Sequence, residues 1–186
     1  MDQYVTGIGA RSGATVRPLR RDEPDVLDAL FDGLSARSRY LRFHAPVPRL
    51  ISGLRTALLD VDGNDRVALV AEVTGPDGTV PVGIARLGRT ADDEAEIAVA
   101  VVDAWHRCGI GRRLVTELAE IAAGLGYRRM HALVLPENAA ALSLFRSVFA
   151  DARGRYSEGV LRLEWRIDSP ADRLTPADAM ADLLRC

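Results

Sequence analysis

Lysine is absent from this chain: all 24 of its basic residues are arginine. The coding preference of a GC-rich genome accounts for that, so no function is read from it. Cysteine is almost absent as well. Cys108 and Cys186 lie far apart with no metal-type spacing, and His44, His106 and His131 do not cluster with them in the sequence. This excludes a disulfide framework and suggests no metal site. No stretch reaches the roughly 18 to 20 uninterrupted apolar residues of a bilayer span, and the N-terminus MDQYVTGIGARSG lacks the apolar centre of a signal peptide. A cytoplasmic protein with no membrane partner is the expectation. A basic excess is missing too: the formal net charge of -2 argues against a nucleic-acid partner. Small anions remain as ligands.

What is present suits one well-packed α/β domain, since 186 residues with 48% hydrophobic and 27% charged side chains fill one core and fall short of two. Residues 1 to 13 read as a flexible lead-in, and their Gly7, Gly9 and Gly13 lie too near the terminus to follow the strand a dinucleotide fingerprint needs. Residues 14 to 20 alternate like a strand, and a helical pattern runs from Asp22 through Leu34. Ser35 is placed to cap a short helix, SARSRYLRF, that Pro46 and Pro48 stop. A third helical segment covers 48 to 59. Strands at 66 to 73 and 80 to 88 form a hairpin about Gly-Pro-Asp-Gly, and EAEIAVAVV at 94 to 102 reads as a central strand. From Gly109 to Gly124 apolar residues recur at helical spacing. A strand at 129 to 135, a helix from Asn138 and a strand at 159 to 167 complete a body spanning 14 to 168. In the tail, 169 to 186, Thr175 and Pro176 open a short helix expected to pack on the body, a homodimer contact being the alternative.

Within WHRCGIGRRL, residues 105 to 114, Gly109 and Gly111 stand one residue apart where a strand gives way to a helix. The first-turn amides of a helix have no intrahelical acceptor, and glycine lets a phosphate approach them. With the helix dipole behind them and Arg107, Arg112 and Arg113 nearby, they form an anion site. A plain tight turn would also explain two glycines.

The context of that loop resembles the acetyl-CoA motif of the GCN5-related N-acetyltransferase (GNAT) superfamily, Gln/Arg-x-x-Gly-x-Gly/Ala between a strand and a long helix. Here it reads His106, Arg107, Cys108, Gly109, Ile110, Gly111, with histidine at the Gln/Arg position. The resemblance covers 14 to 167. It implies a GNAT fold: a mixed, twisted sheet of six or seven strands, a splayed central parallel pair and helices on both faces. A bulge at about 99 to 101 would open the splay and let the pantetheine arm pair with the strand at Val99, Ala100 and Val101. The family's Asn-led helix appears as NAAALSLFRSVF with Asn138 retained, while Phe145 replaces the tyrosine that protonates the departing thiolate in many relatives, and Val148 replaces a glycine. LSARSRYLRFH at 34 to 44, ALVAEV at 68 to 73 and AEIAVAV at 95 to 101 look like the bacterial protein lysine acetyltransferases of the Pat type.

The implied activity is that of an acyltransferase taking acetyl-CoA as co-substrate, without a metal. The cofactor residues are then Val99, Ala100, Val101, His106, Arg107, Cys108, Gly109, Ile110, Gly111, Arg112 and Asn138. The strand glutamate proposed as general base in Pat-type enzymes falls on Glu96, which shares a face with Glu94 and Ala98. An amine with a pKa near ~10.4 arrives protonated, and a part-buried carboxylate can take its proton. Glu94 suits a solvated edge charge better. Tyr156 or Ser143 could serve as an acid, or water could. Cys108 is read as a loop residue with no covalent role. Arg39, Tyr40, Arg42 and Phe43 either line the acceptor pocket or anchor their helix. The acceptor is a protein lysine by resemblance, or a small-molecule amine such as an antibiotic. An acetyl-CoA sensor without turnover is the reading from another class.

Overall fold

The computed structural model describes residues 13–167. The lead-in, most of its glycine cluster and the tail helix at 175–184 lie outside the described residues. Among the described residues five α-helices and seven strands follow one another as β1 (Ala14–Pro18), α1 (Pro24–Gly33), α2 (Ala36–Phe43), α3 (Ser52–Leu59), β2 (Arg66–Gly75), β3 (Gly78–Ala91), β4 (Glu94–Val101), α4 (Ile110–Gly124), β5 (Arg129–Val134), α5 (Ala139–Val148), β6 (Arg153–Ser157) and β7 (Val160–Arg166). A one-turn 3-10 helix, Asp103–Trp105, separates β4 from the loop before α4. No helix among the described residues is long and apolar enough to cross a membrane.

The strands form one sheet in the order β1-β2-β3-β4-β5-β7-β6. Every neighbouring pair is antiparallel except β4 and β5, which are parallel. This is the mixed, splayed α/β architecture that the resemblance implied. β2 is apolar on both faces because both are covered. Leu69 and Ala71 join the core under α4 and α5, whereas Ala68 and Val70 join the one under α1 and α3. α4 sends Ile110, Leu114, Val115, Leu118 and Ala122 into the first core at helical spacing. Pro24 opens α1, where a missing amide proton costs nothing, and Leu27 and Leu30 enter the second core while Phe31 is buried on the same helix.

Two expectations need correction. The bulge at 99 to 101 is absent, for β3 and β4 pair without a break from Gly83↔Val101 to Gly88↔Glu96. Irregularities lie at the other end of that pair, between Arg89 and Ala91 of β3, and one strand over, between Ala71 and Glu72 of β2, opposite Pro81 and Gly83 of β3. Proline has no amide proton to give a ladder, so the register slips beside it. The splay comes instead from β5, which leaves β4 after Glu96↔His131. The second correction is β6. Its sequence RGRYS is exposed throughout and shows no alternation, and it is a strand only because β7 pairs with it.

Candidate active site

β4 and β5 pair at Glu94↔Arg129, Ala95↔Met130 and Glu96↔His131 and then separate. Beyond that point the polar backbone of β4 is shared unequally. Val102 N–H donates to the Val82 carbonyl across to β3 at 2.8 Å. Backbone groups alternate in direction along an antiparallel pair, so those of Ala100 also turn toward β3, while those of Val99 and Val101 turn into the gap. The gap is therefore lined by main-chain donors and acceptors that β5 would otherwise have used.

At its upper end stands the head of α4. Gly109 holds φ 80, a left-handed conformation that favours glycine, and the helix has no capping side chain and no acid in its first turn. α2 and α5, by contrast, are capped by Ser35 and Asn138. The first intrahelical bond of α4 runs from Arg113 N–H to the Gly109 carbonyl at 3.0 Å, which leaves the amides of Ile110, Gly111 and Arg112 ahead of it without helical acceptors. A Cβ added at Gly109 would meet nothing within 4 Å, so this face is open. One at Gly111 would press on Leu144 at 3.2 Å, which explains the second glycine by close packing of α4 on α5. An uncapped helix start beside a stretch of open strand edge fits a diphosphate followed by a pantetheine arm.

The side chains of the loop are arranged less simply. His106 turns back, its Nε2 lying 2.8 Å from the Val101 carbonyl. Cys108 Sγ–H donates to the His106 carbonyl at 3.5 Å and packs on the core. Arg112 Nη1–H donates to the Ser147 carbonyl at 3.1 Å, and Arg113 pairs with Glu117 at 2.7 Å. Arg107 is exposed with φ 62. Asn138 Oδ1 accepts Ala141 N–H at 3.1 Å and so caps α5.

At the closed end of the gap, Glu96 carries a 41% exposed side chain. Its Oε2 is 3.7 Å from Nε2 of His131, which is buried. The imidazole beside it, aided by Arg42 and Arg162, holds the Glu96 carboxyl below the usual carboxylate range against the opposing effect of partial burial. Burial pushes the Arg42 guanidinium down, and Glu96 draws it back up. Glu94 is not the solvated edge charge its position suggested. Its side chain is only 19% exposed, its Oε1 lies 2.9 Å from His131 Nδ1, and it pairs with Arg162.

α2 lies over this end of the sheet. The Ser35 amide donates to Asp103 Oδ2 at 2.9 Å, and the hydroxyls of Ser35 and Ser38 donate to Oδ1 at 2.7 and 2.9 Å. Burial alone would raise Asp103, but these three donors hold it below its ordinary value. Phe43 is an anchor, 6.2 Å from the Phe31 ring, and so is Arg39, stacked 4.2 Å over Phe31 and bonded to its carbonyl at 3.1 Å. Tyr40 and Arg42 turn the other way, Tyr40 donating to Glu137 at 3.4 Å and Arg42 interacting with Glu96. Phe145 is buried and stacked on Trp165 at 5.5 Å. Tyr156 is 64% exposed on the edge strand, and Ser143 is exposed on α5.

A splayed parallel pair, an uncapped helix start at one end of the gap and a carboxylate at the other define a class of protein, the acyltransferases that take a CoA thioester. The profile of the acetyltransferase (GNAT) family matches residues 30–149, and the chain belongs to that family. It is an acetyl-CoA-dependent acyltransferase. It is similar to the GNAT domain of S. lividans PAT, with 32% identity and a TM-score of 0.75 over 82% of this chain and 90% of that one. An acetyltransferase of Pseudomonas aeruginosa is 26% identical over 133 residues, 71% of this chain and 72% of that protein. The fold is shared with a phosphinothricin acetyltransferase of Sinorhizobium meliloti solved in complex with acetyl-CoA, at 16% identity and a TM-score of 0.66 over 88% and 94% of the two chains.

Sequence reasoning missed His131, Glu94 and Asp103. RMHALV carries no signal of its own, and only the parallel register sets His131 beside Glu96.

Proposed function

We propose that the chain transfers acetyl from acetyl-CoA to a primary amine, the side chain of a protein lysine, by direct attack with Glu96 as general base. The observation that carries this reading is the position of Glu96, on the last residue pair before β4 and β5 part. Acetyl-CoA supplies an activated acetyl thioester. The amides of residues 108 to 112 and the exposed Arg107 receive its diphosphate, and the backbone of Val99 and Val101 receives its pantetheine arm. That brings the acetyl group down the gap toward Glu96. Ala100 contributes through spacing, since its polar groups belong to β3. Asn138, whose oxygen is committed to its cap, has its amide nitrogen for the ligand. Arg112 acts through its main chain.

A lysine ammonium loses a proton to Glu96, the neutral amine attacks the acetyl carbon, and the thioester oxygen meets main-chain donors of β4. Among the candidates in the described residues, Phe145 belongs to the core and carries no proton to give, Tyr156 sits on the sheet edge and Ser143 is exposed on α5. A thiol with a pKa near ~8.5 leaves tolerably and takes its proton from water. The lysine acceptor is supported by the segment 34 to 44 and by the likeness to the S. lividans domain. A thiol-release assay against small amines, an aminoglycoside and lysine-bearing proteins tests the reading. Release with protein substrates and little with small cations is expected. Preference for the antibiotic would make this a small-molecule enzyme, and binding without release from any amine would make it a sensor. Because the chain has no lysine, any acetyl-lysine formed lies on the acceptor.

A further inference from the structure

His131 is a polar side chain buried to 2% exposure in a strand whose opposite face already fills the core through Met130, Ala132 and Val134. A leucine or methionine would fill the same space without the cost of desolvating an imidazole. The ring is also poorly satisfied. Nδ1 lies 2.9 Å from Glu94 Oε1 but off the line of a hydrogen bond, which leaves it without a hydrogen-bond partner. Nε2 is 3.7 Å from Glu96 Oε2. A buried orphan of this kind calls for a reason beyond packing. Two carboxylates spaced i and i+2 on one face of β4 converge on the two nitrogens of a single ring.

The surroundings are rich in charge. Arg42 faces Glu96 from α2, Arg129 flanks Glu94 at 3.8 Å, and Arg162 of β7 pairs with both Glu94 and Glu164. Arg86 of β3 acts on Arg42, and Glu164 is the register partner of His131. The ring thus lies between two carboxylates, Glu94 beside Nδ1 and Glu96 beside Nε2, and an imidazole nitrogen can take up or give up a proton in either direction.

We propose that His131, flanked by Glu94, acts in this site through Glu96: it takes from the Glu96 carboxyl the proton removed from the amine. This rests on Glu96 being the base. After the amine has given up its proton, the O–H bond on Glu96 breaks and leaves its electron pair on the carboxylate, while an N–H bond forms at Nε2. A rotation of the half-exposed Glu96 side chain closes the 3.7 Å gap. The imidazolium sits between two carboxylates and releases the proton to water when the products leave. Glu96 is then ionised for the next amine without needing water in a cleft that both substrates fill.

The test compares wild type, H131Q, H131A, E94Q and E96Q in the thiol-release assay, using whichever amine of the panel wild type turns over fastest, with acetyl-CoA binding followed by calorimetry. In H131Q and H131A, kcat should fall about 10- to 100-fold while the KM for amine and the Kd for acetyl-CoA stay within about twofold. E94Q should lower kcat in the same sense and by less. Free imidazole should restore a measurable part of the H131A rate, which a purely structural role would not allow. H131Q and E94Q both turning over like wild type would overturn the inference, as would loss of acetyl-CoA binding in parallel with kcat and no response to imidazole. E96Q separates the two levels. Full turnover by E96Q would sink the base assignment and this inference with it, whereas an impaired E96Q beside unimpaired H131Q and E94Q sinks this inference alone.

Discussion

Ser35 donates its hydroxyl proton to Asp103 at 2.7 Å across 68 positions of sequence. The bond fastens the N-cap of α2, which carries Tyr40 and Arg42, to the turn that leads into the loop at 105–114, the proposed diphosphate site. Replacing Asp103 by alanine removes the acceptor of three donors. The site is exposed, so the loss of stability should be modest, about 1 kcal/mol, and the larger effect should fall on function. The KM for amine should rise several-fold while the acetyl-CoA Kd changes less. Equal losses in both would show that the tie serves the loop alone.

Glu96→Gln should lower kcat by about 100-fold or more, the usual worth of a positioned base. The wild-type pH profile adds a second test. With Glu96 held below the ordinary carboxylate range, it is ionised from weakly acidic pH upward. The rise of kcat/KM through neutral pH then belongs to the amine, whose reference pKa is about 10.4. A limb between pH 6 and 7 that E96Q abolishes and H131Q retains would contradict this.

Gly109→Ala probes the head of α4. The new Cβ finds open space, so its penalty is conformational, about 1 to 2 kcal/mol for a side chain in the left-handed region. Relief of that strain would tilt the amides of residues 110 to 112 away from the diphosphate. Acetyl-CoA should bind about tenfold more weakly by calorimetry, while the KM for amine stays near its wild-type value.

Leu114→Ala tests the packing that keeps α4 in place. Leu114 is fully buried beneath the helix and lies against Gly83 of β3, where a Cβ would come within 3.0 Å of it. Truncation should cost about 2 to 5 kcal/mol, seen as a lower midpoint in urea.

Asp62 collects the amides of Asn64, Asp65 and Arg66 at 2.9, 2.8 and 2.9 Å and is drawn from 3.8 to about 2. A folded-state pKa below the unfolded one gives stability that is fully present above the unfolded pKa. Here it disappears as pH falls from about 4 toward 2. D62N should lower the melting temperature at pH 7, and the gap to wild type should shrink below pH 3. A gap independent of pH would show that the carboxylate charge is not what matters.

Much of the site was legible because its signals are local. Gly109 and Gly111 at a strand-to-helix junction, the helical spacing from Ile110 to Ala122 and the alternation that sets Glu94, Glu96 and Ala98 on one face all arise from backbone geometry within a few residues. The same geometry shows why Ser35 caps α2. It could not show that His106 folds back on Val101, or that Arg112 reaches Ser147 on α5 instead of the loop, since both depend on where distant elements come to rest. The bulge expected at 99 to 101 failed for a related reason. An open gap can be made by one strand kinking or by its neighbour departing, and the second occurs here.

By itself, then, the sequence determined the element types other than β6 and the glycine-opened helix start, because periodicity and conformational preference act over one or two turns of chain, whereas Glu96 was singled out by the resemblance to Pat-type enzymes. The tertiary structure alone decided the register in which β5, parallel to β4, puts His131 beside Glu96, and that Glu94 and Arg162 close around it. Pairing between strands separated by a helix is set by how α4 packs on the sheet, and no local pattern in RMHALV or EAEIAV carries that information. The loop at 105 to 114 pointed to a cofactor, and the chemistry beside it became visible only where the two strands part.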